Sequence, residues 1–327
     1  MRATSILLMA MITMGCQPDV GDPVSRITGL QILAVRADPP EAKPGESVSY
    51  RALVATPGGT VKDPAIAWAF CASPKPLTEN NAVSTACLAD GVRPIGGPAG
   101  TIEATTPLDA CALFGPDPPP GGFRPRDPDA TGGFYQPVRA RLGATTAFVL
   151  ERVRCNLPNA PIDVAIDLEK RYRQNENPTL APLTASVAGA MVALDHIPAG
   201  ARVQLATGWN EGDAELYVMF DPGTTMLVDR RESLRVSWFV TDGEIADEVT
   251  GRGEDDAGSI TETIWRAPSV PGVVHAWIVL RDSRGGIDFR ELRSHRRRRA
   301  ALIDHTVAAA GSCVLAVRAG AAAACVA

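Results

Sequence analysis

The chain has 327 residues, enough for about two domains with a core in each. With 30 Gly, 27 Pro and 21% charged residues, the composition excludes a coiled coil and a disordered polyelectrolyte and predicts a turn-rich globular protein with few long helices. A net charge of -5, with one local basic run, RSHRRRR at 293–299, argues against a nucleic-acid partner.

The N-terminus reads as an export signal over 1–15. Arg2 supplies the positive end, ILLMAMITM the apolar run, and that run is too short for the ~20 residues that span a bilayer. It ends in Thr13-Met14-Gly15-Cys16, which resembles the lipobox of bacterial lipoproteins. Thr13 stands where that motif usually has Leu. The resemblance implies that Cys16 is acylated and becomes the first mature residue, making membrane lipid a partner. Gln17, not Asp, follows it, which in that family implies sorting to the outer membrane. Residues 16–26 then read as a flexible tether.

Alternation of period two begins at GESVSYRALVA, where Val48, Tyr50, Ala52 and Val54 share one face and Ser47, Ser49 and Arg51 the other. LRVSWFV repeats the pattern with Leu234, Val236, Trp238 and Val240. GVVHAWIVLRD is apolar on both faces, as a central strand is. A weak internal repeat aligns PGESVSYRALV (44–54) with AGARVQLATGW (199–209), and PAIAWAFC (64–71) with LRVSWFVTDG (234–243). The second copy carries a surplus, YVMFDPGTTMLVDRR, that reads as an added hairpin turning at Asp221-Pro222-Gly223.

The segments ADPPEAKPGESVSYRALV, VSWFVTDGEI and TIWRAPSVPGVVHAWIVLRDSRGG are similar to the immunoglobulin-like repeats of secreted bacterial surface proteins, the bacterial Ig-like and PKD-like groups. The Trp-Asp-Phe-Gly-Asp core of the PKD group is absent. Taken whole, the chain resembles uncharacterised bacterial lipoproteins with such repeats, a family that implies no activity. The expected fold is all-β: two tandem Ig-like Greek-key β-sandwiches over 27–160 and 179–292. A Pro/Gly-rich insert at about 108–134 enlarges the first, and its composition forbids regular ladders. A connecting helix is expected over 161–178, starting at Pro161, with Val164, Ile166, Leu168 and Tyr172 apolar and Asn177-Pro178 as its stop. Residues 293–327, rich in Arg and Ala without period, form a low-complexity tail that a shifted reading frame would explain.

Of the seven cysteines, Cys71, Cys87, Cys111 and Cys155 form an even group with no metal-ligand spacing, which predicts disulfides in an oxidising compartment. Strand alternation brings all four to one pole. Three pairings are possible, and Cys71–Cys87 with Cys111–Cys155 is preferred because the first closes a short loop.

Catalytic patterns are missing: there is no GxSxG, no HExxH, and GGPAGT lacks the Lys of a phosphate loop. His275 reads as a packed or edge imidazole. No enzyme activity and no cofactor are expected. Glu254, Asp255 and Asp256 are weak calcium candidates that read more simply as a solvated turn. Trp68 and Trp238 read as core residues, while Trp209, Trp265 and Trp277 are less constrained, so that one on the surface would suit a sugar ring. The function expected is binding or scaffolding by a lipid-anchored envelope lipoprotein, its partner an envelope protein or glycan. The alternatives are a glycan-binding surface module and a structural subunit of an envelope assembly.

Overall fold

The computed structural model describes residues 22–76, 78–116, 129–157 and 160–297. The signal segment, Cys16, the centre of the insert and the tail beyond 297 lie outside these residues.

Seven strands build the first sandwich: β1 Gln31–Asp38, β2 Ser47–Thr56, β3 Ala67–Cys71, β4 Val92–Ile95, β5 Thr101–Thr105, β6 Phe134–Leu142 and β7 Thr145–Val153. One sheet has β2 between β1 and β5; the other runs β7–β6–β3–β4, with Glu41–Ala42 added in parallel along the outer side of β7. A short helix, α1 (Ala110–Leu113), opens the insert between β5 and β6. Helix α2 (Ile162–Arg171) follows β7.

The second sandwich repeats this plan. Its strands are β8 Thr184–Val187, β9 Arg202–Gly208, β10 Leu216–Asp221, β11 Met226–Arg231, β12 Leu234–Val240, β13 Val249–Arg252, β14 Ile260–Arg266, β15 Val273–Asp282 and β16 Ile287–Arg297. Strand β9 lies between β8 and β14, and the opposite sheet runs β16–β15–β12–β13, with Ile197–Pro198 in parallel beside β16. Removing the hairpin β10–β11 leaves seven strands in the same order as the first sandwich. Both are immunoglobulin-like β-sandwiches, and the surplus in the second copy is a hairpin with its turn held by Asp221, which accepts from the Gly223 N–H (2.9 Å) and the Thr224 hydroxyl (2.8 Å).

Each core forms where the alternating faces meet. Val48, Tyr50 and Val54 are buried against Trp68, Phe70, Val138 and Ala140, with the Tyr50 ring edge-on to Phe70 at 6.1 Å. In the second sandwich Val203 and Leu205 face Val236, Trp238, Ile278 and Leu280. Buried indole N–H groups need acceptors: Trp68 donates to the Ala99 carbonyl (2.7 Å), Trp238 to the Thr250 hydroxyl (2.9 Å) and Trp265 to the Asp242 carbonyl (3.2 Å).

Strand β15 explains its own two-faced apolarity. Val274, Ile278 and Leu280 fill the second core, whereas Trp277 and Val279 on the opposite face join the core of the first sandwich together with Ile287. The two units are therefore fused side to side. The Trp277 indole donates to the Thr60 hydroxyl (2.8 Å), Arg281 to the Leu33 carbonyl (2.8 Å), and Arg36 pairs with Asp288 (3.0 Å). His275, half-buried, lies within 3.2 Å of Glu291 and stacks on Trp277.

Three expectations change. Residues 22–26, read as the end of a tether, lie against the second sandwich: Val240 donates to the Ser25 carbonyl (2.8 Å) and accepts from the Ile27 N–H (2.9 Å). The connecting helix stops at Arg171, six residues before Asn177, because the backbone and side chains of 172–177 bond to both sandwiches, to Glu41 and Ala37 in the first and to Glu215 and Ile287 in the second. The last strand runs on through 293–297, into the expected tail, because β15 and Ile197–Pro198 offer it ladder partners on both sides.

Candidate functional site

Three additions to the shared seven-strand plan meet in one place. The insert returns to β6 through Gly132 and Gly133, α2 crosses the pole of the first sandwich, and the hairpin β10–β11 reaches over from the second. Between them lies a cleft of about 700 Å³. Its floor is the end of β7 with the Cys111–Cys155 disulfide; Leu168 and Tyr172 form one wall, and Val218, Met219 and Phe220 form the other.

Glycine is required at the crossing of insert and hairpin. Gly132 has φ +72° and lies where a Cβ would come within 2.8 Å of Met219, and a Cβ at Gly133 would fall 2.1 Å from the Arg152 guanidinium. The space so left lets Arg152, a buried cation, donate to the Thr131 hydroxyl (2.9 Å) and the Tyr135 phenol (3.0 Å) while pairing with Glu41 at 3.5 Å. Burial pushes the Tyr135 phenol up to about 12.

Glu41 ties this region together. Its carboxylate accepts from the Tyr172 phenol and from the Asn175 N–H (2.9 Å), and its carbonyl accepts from Gln174 (2.8 Å). Burial raises its pKa, and Arg152 works against that rise. One step further along the linker, Arg284 sits fully buried between Glu215 and Glu232, at 2.5 Å from each, over the Tyr217 ring, and donates to the Arg173 carbonyl (2.9 Å). Asp282 adds a third buried carboxylate, with Oδ1 held by the Arg284 and Gly286 N–H groups and Oδ2 without a hydrogen-bond partner among the described residues. Burial and the neighbouring Asp282 push Glu232 up to about 8. In the first core Glu151 faces only neutral donors, Tyr50 and Thr106, and burial pushes it up to about 7.

The four central cysteines form the disulfides Cys71–Cys87 and Cys111–Cys155 at the same pole. The weak calcium candidates do not converge: Glu254 pairs with Arg230 (2.6 Å), Asp256 pairs with Arg252 (3.0 Å) and accepts from the Gly258 N–H, and no group of acidic, His or Cys side chains among the described residues is arranged to hold a metal ion. Nor does any tryptophan offer a face to a sugar: Trp209, Trp265 and Trp277 are at most 5% exposed, because packing between sheets and between sandwiches consumes all five indoles. The residues that line the cleft, Lys43, Arg152 and Arg154 among them, carry no motif. The signal that locates them is the three segments that break the strand pattern.

No family model matches the chain, and no curated protein matches it. Among solved structures it is similar to the adhesin InvE of Yersinia pseudotuberculosis, with 11% identity and a TM-score of 0.21 over 80% of this chain and 58% of that chain. It is similar to native Escherichia coli alpha-2-macroglobulin, with 10% identity and a TM-score of 0.22 over 82% of this chain and 17% of that one. A third is the C-terminal domain of the Streptococcus agalactiae AgI/II polypeptide BspA, with 8% identity and a TM-score of 0.21 over 82% and 96%. The chain thus spans little more than half the length of the InvE adhesin structure. None of these likenesses bears on what the chain binds.

Proposed function

We propose that the protein is a lipoprotein of the bacterial cell envelope, acylated at Cys16 and sorted to the outer membrane, whose fused Ig-like sandwiches bind or scaffold a partner without turning over a substrate. The observation that carries this reading is the pair of disulfides, which belongs in an oxidising compartment outside the cytoplasm. The apolar N-terminal run ending in Gly15-Cys16 supplies the route there and the anchor. A cleft walled by the connecting helix with Tyr172 on one side and the added hairpin on the other supports binding as the role.

Metabolic labelling with a fatty-acid analogue in a native-type host tests the anchor. Label on the wild type and none on Cys16→Ala is the expected result; equal labelling of both, or protein shed unlabelled into the medium, overturns the proposal.

A further inference from the structure

Three cations line the cleft: Arg152 is paired with the buried Glu41, Arg154 with Glu169 at the rim, and Lys43 has no ion pair among the described residues. Glu41–Ala42 runs parallel to the end of β7 with Ala42 opposite Val153, and the Arg154 N–H donates to the Ala42 carbonyl at 3.0 Å, so Lys43 and Arg154 stand side by side at the mouth. Lys43 is exposed. Arg154 lies over the Tyr172 ring at 4.2 Å and reaches both oxygens of Glu169 at 2.7 and 2.8 Å. The Glu169 side chain is 75% exposed, so water screens its hold on Arg154 and a second carboxylate can compete for the guanidinium. Behind this pair of cations the walls are aliphatic, built from Leu168, Val218 and Met219, whose flexible thioether adapts to varied shapes.

Two chemistries suit such a cleft, an acidic peptide and an acidic sugar chain. A sugar chain has no apolar side groups to set against the aliphatic walls, and no aromatic face is open for its rings to stack on, since Arg154 covers that of Tyr172 and the indoles are all buried, so the acidic peptide fits better. We infer that the cleft takes an acidic segment of a partner polypeptide, with one carboxylate between Lys43 and Arg154 in place of Glu169 and the flanking aliphatic side chains against Leu168, Val218 and Met219. A planar guanidinium beside a mobile ammonium fixes the carboxylate in orientation and charge. The volume suits a few residues of extended chain. The inference rests on the binding role proposed above and names the chemistry of its partner.

The full chain in detergent micelles, probed with a positional-scanning pentapeptide library, tests it. The expected result is selection for Asp or Glu at one position flanked by Leu, Ile, Val or Met. Lys43→Glu should weaken binding of the selected peptides about tenfold, and Glu169→Gln should tighten it about threefold. Both substituted side chains are exposed, and unchanged near-ultraviolet circular dichroism verifies the fold. No selection for acidic residues, or peptide binding that neither substitution alters, overturns the inference, as does saturable binding of oligogalacturonate in place of peptide. Protein that selects acidic peptides but takes no lipid label refutes the anchor alone; labelled protein that selects none refutes this assignment alone.

Discussion

The two sandwiches share one strand order and are stapled by different chemistry. In the first, the insert between β5 and β6 is tied down covalently, since Cys111 opens it and Cys155 follows the last strand. The second has no cysteine between 179 and 292; there Glu215 and Glu232, the residues just outside the hairpin β10–β11, are gripped by Arg284 from the turn between β15 and β16. Each staple stands at the base of its own sandwich's insertion. The common fold thus tolerates additions on different connections provided that their roots are fixed, by a bond in one case and by a buried ion cluster in the other.

Removing the ionic staple should have the largest effect. Arg284→Met leaves Glu215 and Glu232 buried without their central cation, and a loss of about 3–5 kcal/mol is expected in urea melts. The covalent staple comes next. Replacing Cys111 and Cys155 together with Ser reopens a loop of 44 residues, worth about 4 kcal/mol by chain entropy, against about 3 kcal/mol for the 16-residue Cys71–Cys87 loop. The three double or single variants, compared at one pH, rank the two strategies directly.

Proton uptake sharpens the same contrast. Glu151 at about 7 and Glu232 at about 8 both lie above an ordinary carboxyl, so the folded chain holds their protons more tightly than the unfolded one. Their contribution is complete below the ordinary value near 4.5 and is lost as pH climbs through 7 for the first sandwich and 8 for the second. Both declines run together from about pH 5, each at roughly 1.4 kcal/mol per pH unit, so several kcal/mol should disappear by pH 9; Glu151→Gln should about halve the slope below pH 7 and leave the slope between 7 and 8 unchanged. The smallest effect belongs to the exposed pair Arg171–Asp229, which links α2 to the hairpin: Asp229→Asn should shift stability by less than about 1 kcal/mol in the same melts.

Local periodicity made much of the fold legible. Val48, Tyr50 and Val54 alternate because one face of β2 is buried, and the hairpin announced itself through Asp221-Pro222-Gly223. The repeat was visible because both copies, once the hairpin β10–β11 is set aside, place a tryptophan on the strand after a Gly-led strand, and both indoles are buried in their cores. What stayed hidden depends on partners far along the chain. Trp277 looked available because nothing near it in sequence reveals that its strand has a second core to fill, 217 residues away at Thr60. The helix end at Arg171 is set by Glu41, and the cleft by Lys43, Arg154 and Met219, which belong to three different elements. Propensity and spacing carry no information about such meetings.

The pinning of Ser25 and Ile27 on Val240 has a mechanical consequence. A pull applied N-terminal to Ser25 enters the molecule through the second sandwich, although the first strand in sequence belongs to the other one. Load therefore reaches β12, an interior strand of its sheet, before it reaches β1. The first sandwich is thereby shielded from a pull at that end until the bonds of Ser25 and Ile27 to Val240 give way.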